Sequence, residues 1–454
     1  MLNQKTYKHE KATKFKQNYL HCEGGGKSST KLNCKAIMAG AIFAISNVGW
    51  GQITISTNTI WDASNAPTSG YQAGIIIDPE ASLSVSSITL NMNNSANIIL
   101  TNGVFNSSTS QNDQAKLTFT NATVNFGTNG KLEVGKWGEL TVITSTLKTN
   151  NANIKWAGID ALQEGTDQFS TPNSINTNGT CTPAEWSGTL SPLATKVILQ
   201  RATISFADIG MHALGDDRRP RCSAVVKVTG SFFNNCKEGI RMTANFSKNF
   251  SPRGASYIMN TNFIWDHASM ASIANKIHVN INLSAVNIGG CKFENLLGQE
   301  NACSSTLRGI GIKAANSILS VASDGDRCCK DDKGCPDNCY GASGPASKRN
   351  KFNYFDEGIS FTGNGLNDFG PQLSCRFSDF YNNKVSVNLN GVNTVNFGDV
   401  RILLEDNKII FSDSSPPLTY QYSSIFAGYC PAFGIKANNC SGLIFIKTSL
   451  NLKQ

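Results

Sequence analysis

The chain has 454 residues, 40% hydrophobic and 16% charged, enough for a large core and too apolar for a disordered polymer. Roughly 50 Asn and 40 Gly with few charges exclude a coiled coil or helical bundle, which draw on Ala, Glu, Lys and Leu. Of the net charge of +8, residues 1–51 hold +6 (eight Lys, two Glu), and the remaining +2 gives no electrostatic basis for binding nucleic acid.

Lys31 and Lys35 precede an apolar run from Ala36 to Val48, and Gly49, Gly51 and Gln52 follow it. A basic flank, a short apolar run and small residues form the pattern of a secretory signal. The run is short for a membrane anchor, and no later apolar run is long enough to span a bilayer as a helix. The expectation is a signal peptide with a long basic region over 1–51 and a mature domain over 52–454. That domain would be secreted or held at the cell surface, outside the outer membrane, with no integral span.

Residues 75–156 carry apolar pairs at a spacing of two: Ile75/Ile77, Leu83/Val85, Leu90/Met92, Ile98/Leu100, Leu117/Phe119, Val124/Phe126, Leu132/Val134, Leu140/Val142 and Ile154/Trp156. Such alternation puts both side chains on one face of a short strand. Most pairs follow one another every seven or eight residues, with Gly, Asn, Ser and Asp between them as turns demand. A longer interval is superimposed. Ile75 to Ile98, Leu117 to Leu140 and Val124 to Leu147 are each 23 residues, and Leu132 to Ile154 is 22. Three short strands per 22–23 residues is the arithmetic of a stacked β-solenoid coil.

The second half repeats Phe-x-Asn/Asp at Phe206, Phe233, Phe293, Phe377 and Phe397, and Gly-Ile at Gly239, Gly309, Gly358 and Gly434. The expectation is a Phe stack in the core, Asn at turns and Gly-Ile opening a strand. Irregular spacing marks insertions near 160–200 and 322–350.

The Gly-Gln site, ITISTNTIWD and IKWAGID, followed by FFNNCKEGI and NKFNYFDEGI, resemble exported, pectin-lyase-like parallel β-helix proteins of Bacteroidota. The resemblance covers about residues 52–445. It implies an all-β, right-handed parallel β-helix solenoid with three short strands per coil and loop insertions. Such proteins often carry a C-terminal sorting domain, and none is recognised after the apolar SGLIFI segment.

Enzymes of that resemblance act on acidic glycans through carboxylates, or through calcium and a basic residue. The best match here is GDDRRPRC, with Asp216, Asp217, Arg218, Arg219 and Arg221, and His212 nearby. Its Gly-Asp-Asp resembles one polygalacturonase motif; the companions Asn-Thr-Asp, Gly-His-Gly and Arg-Ile-Lys are absent. Asp216, Asp217 and Arg219 are the catalytic candidates if the chain is a lyase or hydrolase. A solvated loop of opposed charges is the plainer reading.

Twelve of the 14 Cys follow the leader. Cys328, Cys329, Cys335 and Cys339 crowd into RCCKDDKGCPDNC, where adjacent Cys and export favour a disulfide-stapled loop over a zinc site. The same region offers Asp324, Asp326 and Asp331 as weak calcium ligands, the one cofactor the sequence suggests. Scattered Cys such as Cys236 and Cys291 read in part as buried thiols. Trp156 follows the inward rhythm, whereas Trp186, in the first insertion, is the candidate for stacking on a sugar ring. Trp265, Asp266 and His267 read as structural, because strand neighbours point to opposite faces.

The leading expectation is a non-catalytic extracellular or cell-surface protein, structural or adhesive. It would contact a glycan or a host or matrix surface along a flank of Asn, Thr and Ser. The alternative is a polysaccharide lyase or hydrolase.

Overall fold

The computed structural model describes residues 51–454 apart from 107–110, 154, 163–194, 215–223, 244–255, 299–307, 323–348, 364–370, 393, 406–407, 411–422, 427–429, 441–442, 447–448 and 454. The chain divides between Gly49 and Trp50, and the described fold belongs to the second unit.

That unit is a right-handed parallel β-helix. One wall, sheet A, stacks twelve parallel strands: Ile53–Ile55, Gly74–Ile77, Asn97–Leu100, Lys131–Val134, Trp156–Leu162, Ala207–Leu214, Glu238–Thr243, Ile277–Asn282, Ile310–Ala315, Glu357–Thr362, Val385–Asn390 and Cys430–Asn438. Eleven steps of about 4.8 Å make this wall roughly 50 Å long. Two strands, Ser423–Phe426 and Lys408–Ile410, pair antiparallel beyond the last of them. Between successive A strands the chain runs along sheet B, usually as two short strands meeting at a corner, such as Lys116–Thr120 and Thr123–Phe126. Each complete coil therefore holds three strands. No helix among the described residues is long and apolar enough to cross a membrane.

The alternating pairs drive this stack. Every pair from Ile75/Ile77 to Leu140/Val142 is buried, and each buried side chain stabilises the fold by about 1.5–3 kcal/mol. The 23-residue interval is a register: Ile75 lies over Ile98, Leu117 over Leu140 and Val124 over Leu147. The 22-residue step fails. Leu132 is in register with Ile159, and the strand starts at Trp156, because a turn lengthens this coil. Trp156 is buried, stacked on Phe126 at 4.3 Å with its indole N–H donated to Ser205 O at 2.9 Å.

Corners are sharp because one residue adopts the left-handed conformation. Along the bend inside sheet B these residues include Ser87, Asn121, Thr144, Arg201, Gly230 and Asn260. Asn and Gly suit that geometry, which explains much of the composition. The next residue points inward, and several of these tie coils together. The Ser145 hydroxyl donates to Ile143 O and accepts from Ala122 N; Ser231 does the same with Thr229 O and Ala202 N. Cys291 stands in this column, its thiol donating to Gly289 O and Ile258 O at 3.3 and 3.4 Å. Cys236 and Cys375 are likewise buried thiols, pushed up to about 12 chiefly by burial, and so protonated and inert.

Phe233, Phe263, Phe293, Phe352 and Phe380 form a continuous stack, with centroids 4.7–5.0 Å apart. Beside it runs a column of small residues in sheet A, Gly210, Gly239, Gly311 and Gly358, which the strand register skips. His278 stands in that column between Gly239 and Gly311. Its ring is buried, stacked on Trp265 at 3.7 Å and edge-on to Phe355 at 5.5 Å. Nearby, the buried Lys276 ammonium donates to Met270 O at 3.1 Å and lies 5.5 Å from the Trp265 ring. The buried Arg308 guanidinium donates to Phe355 O, Asn382 O and Gly298 O, bridging successive coils.

The two predicted insertions leave the stack intact. The chain departs after Leu162 and returns at Thr195, whose hydroxyl donates to Leu162 O at 3.2 Å. It departs again after Ala322, and Asn350 Nδ2 donates to Ala322 O at 2.6 Å on its return. Strands before and after each excursion remain in register.

Candidate functional site

The outer face of sheet A carries the densest polar chemistry among the described residues. Its central column runs Glu133, Asp160, His212, Arg241, Asn280, Lys313, Ser360, Asn388 and Lys436, each in register with the next. The residue after Gly-Ile falls in this column at Arg241, Lys313, Ser360 and Lys436. Inward Ile forces its neighbour outward, because successive side chains of a strand alternate. A register shift lies between Gly158 and Ile159, just before Asp160. At Gly158 φ is +109°, and an added Cβ would lie 1.6 Å from Ile209 O, so only glycine fits this bulge.

Side chains interlock at the acidic end. Lys131 Nζ lies 2.8 Å from Glu133 and 3.3 Å from Asp160 Oδ2, and His212 Nδ1 lies 3.3 Å from Asp160 Oδ1. One coil on, Arg241 grips both oxygens of Glu238, with Nε at 2.7 Å from Oε2. Asn280 Nδ2 donates to the same Oε2 at 3.1 Å. The pattern recurs three coils along, where Asn388 Nδ2 donates to Glu357 Oε1 at 2.9 Å.

These contacts set protonation. Partial burial pushes the Asp160 carboxyl up, but the His212 hydrogen bond and the Lys131 charge outweigh it and hold it below its ordinary value. Burial likewise raises Glu238, and the Arg241 and Asn280 hydrogen bonds more than reverse this. Burial works against the Lys131 cation, yet Glu133 and Asp160 hold its pKa above the usual value. An ionised Asp160 only accepts, so His212 donates from Nδ1, and in the neutral imidazole Nε2 is left as an acceptor. The face thus offers fixed charges and one oriented imidazole. Among the described residues no group of three His, Cys, Asp or Glu is placed to hold a metal ion.

Of the sequence-predicted residues, Asp216, Asp217, Arg218, Arg219 and Arg221 lie outside the described residues, as do Trp186, Asp324, Asp326, Asp331 and Cys328, Cys329, Cys335 and Cys339. Segment 215–223 nevertheless leaves directly from the strand carrying His212, and 163–194 from the strand carrying Asp160. Trp137, like Trp156, is buried and presents no face for a sugar ring. Asp266 and His267 take separate structural roles: Asp266 accepts from Asn235 Nδ2 at 2.7 Å, and the His267 ring accepts from Ser269 N at 3.2 Å. Sequence reading missed Asp160 and Glu238 as members of one site, since His212 and Asn280, which bond them, come from other coils, 52 and 42 residues away in sequence.

No family model, no curated protein and no solved structure matches this chain.

Proposed function

We propose that the protein is an extracellular or cell-surface β-helix module that acts without catalysis, as a rigid spacer and adhesive flank. The observation that carries this reading is the continuous parallel pairing of twelve strands from Ile53 to Asn438, which presents polar columns at a fixed repeat of about 4.8 Å. Such a surface suits a partner that itself repeats, such as a glycan or matrix polymer. The insertions 163–194 and 323–348 supply specificity at its edges. The leader pattern, the resemblance to exported β-helix proteins of Bacteroidota and the even Cys count of the mature chain support export and a stapled loop.

The carboxylates fit this reading as well. Asp160 and Glu238 are ion-paired and held deprotonated, whereas glycan hydrolysis needs one carboxyl kept protonated as the acid. The test incubates purified protein with acidic and neutral polysaccharides, with and without calcium. Ultraviolet absorbance reads lyase products, reducing ends read hydrolysis, and sedimentation reads retention on insoluble polymer. Retention without product is expected. Product release that disappears in Asp160→Asn or Asp217→Asn would replace the adhesive reading with the enzymatic one.

A further inference from the structure

The junction between the leader and the solenoid holds chemistry that the adhesive reading leaves unused. Gly49 and Gly51 flank Trp50, so a cut after Gly51 has small residues at the first and third positions on its leader side, the pattern of an export cleavage site. The chain divides beside it, between Gly49 and Trp50. Such a cut makes Gln52 the first residue of the exported chain. Gln52 is exposed, and strand Ile53–Ile55 begins at the next residue.

Two features of the solenoid bear on this residue. The Gln52 side chain is folded back over Gly74, where an added Cβ would lie 2.8 Å from its Nε2 and 2.9 Å from its Cγ. At Gly74 φ is +143°, so a residue without a side chain keeps that seat open. Strand Ile53–Ile55 ends the wall and pairs, among the described strands, with Gly74–Ile77 alone. It sets Ile53 over Ile75 and Ile55 over Ile77, and Ile75 and Ile77 are fully buried. Trimming from this end would uncover them.

We infer that Gln52 is a modification site: once the leader is removed, it closes to an N-terminal pyroglutamate. The inference rests on the export reading above. The Gln52 α-amine attacks its own side-chain Cδ. The N–Cδ bond forms, the Cδ–Nε2 bond breaks, and one amine proton leaves with Nε2 as ammonia. No oxidant, reductant or second substrate enters. Amine and amide belong to one residue, so the closure is intramolecular and needs no encounter. The lactam keeps Cβ, Cγ and the side-chain carbonyl and loses Nε2, so it adds no atom to the seat over Gly74. The terminal positive charge disappears, as it does on N-terminal acetylation. An aminopeptidase works on a free α-amine, so the ring shields the strand that covers Ile75 and Ile77.

The experiment produces the full chain with its leader in an exporting bacterial host, beside Gln52→Asn, which keeps an amide on a side chain too short to close this ring. Intact mass, Edman degradation and aminopeptidase digestion are read before and after incubation with a glutaminyl cyclase. The expected chain starts at residue 52, weighs one ammonia less than its sequence, is blocked to Edman degradation and resists the aminopeptidase. Gln52→Asn should keep the mass of its sequence, read from residue 52 and be trimmed. A Gln52 amine that stays open after the cyclase overturns the modification and leaves export standing, as does a cut at another position. A retained leader overturns both.

Discussion

His278 shows how far one side chain departs from the rule of its column. Its column neighbours Gly239 and Gly311 are glycines, because the Phe stack and the next backbone leave no space. The imidazole escapes sideways onto Trp265 and Phe355, where burial first, and the Lys276 charge as well, drive its pKa down to about 3 against a hydrogen bond to Glu294 O. The unfolded chain protonates this histidine near 6.5. Between about 6.5 and 3 the unfolded state therefore binds the extra proton, and stability falls as pH falls, by about 1.4 kcal/mol per unit. Urea midpoints between pH 7 and 4 should show a loss of several kcal/mol in the wild type. In His278→Leu the loss should be shallower, although that variant starts less stable at pH 7. Parallel curves for the two proteins would assign the acid sensitivity to other groups.

The elements repeat this logic at coil scale. Gly239 lies under Phe263, and an added Cβ would sit 2.5 Å from His278 O and 2.9 Å from Phe263 Cδ1. Phe263 cannot yield, since Phe233 and Phe293 hold it from both sides at 5.0 and 4.9 Å. Gly239→Ala should therefore cost about 1–3 kcal/mol by overpacking. Gly230→Ala, at φ +59° with its nearest contact 3.5 Å away, should cost only about 1 kcal/mol of backbone strain. Urea midpoints of the two variants check the order, and equal losses would show that the stack is soft. Phe233 precedes Gly239, and Phe352 precedes Gly358, by six residues in the sequence, and this spacing recurs because the two positions pack against the same neighbour, as Phe233 and Gly239 do against Phe263. Three assignments made from the same motifs differ in the structure. Phe206 occupies the left-handed corner that Asn235 fills one coil later, with Ile204 in the stack position. Phe377 sits at the other corner, and Phe380 carries the ring. Gly309-Ile310 is two residues out of phase, since Ile312 is the residue in register with Ile359. A Phe followed by Asp or Asn satisfies either position, and only stacking decides between them.

At the scale of the whole molecule, architecture was readable and the site was not, for one physical reason. Each coil contacts mainly its neighbours, so the core repeats locally and leaves a period in the sequence. The polar face is assembled across coils, from residues such as Asp160 and His212 separated by an insertion of 32 residues. The same one-dimensional design predicts that the excursion between Leu162 and Thr195 is dispensable for folding. Leu162 and Thr195 already lie within hydrogen-bond distance, so the excursion between them begins and ends at one point on the stack. Replacing residues 164–193 with a short Asn-Gly bridge removes loop-closure entropy of about 1–2 kcal/mol at most and no register contact of the described strands. The shortened chain should keep its β circular dichroism and its cooperative urea transition within about 1 kcal/mol of wild type. It should also lose discrimination between polymers while keeping retention on an insoluble polymer, because Glu139–Ile143 and Lys196–Gln200 remain in register without the loop. A collapse of the urea transition would show instead that segment 163–194 is part of the core.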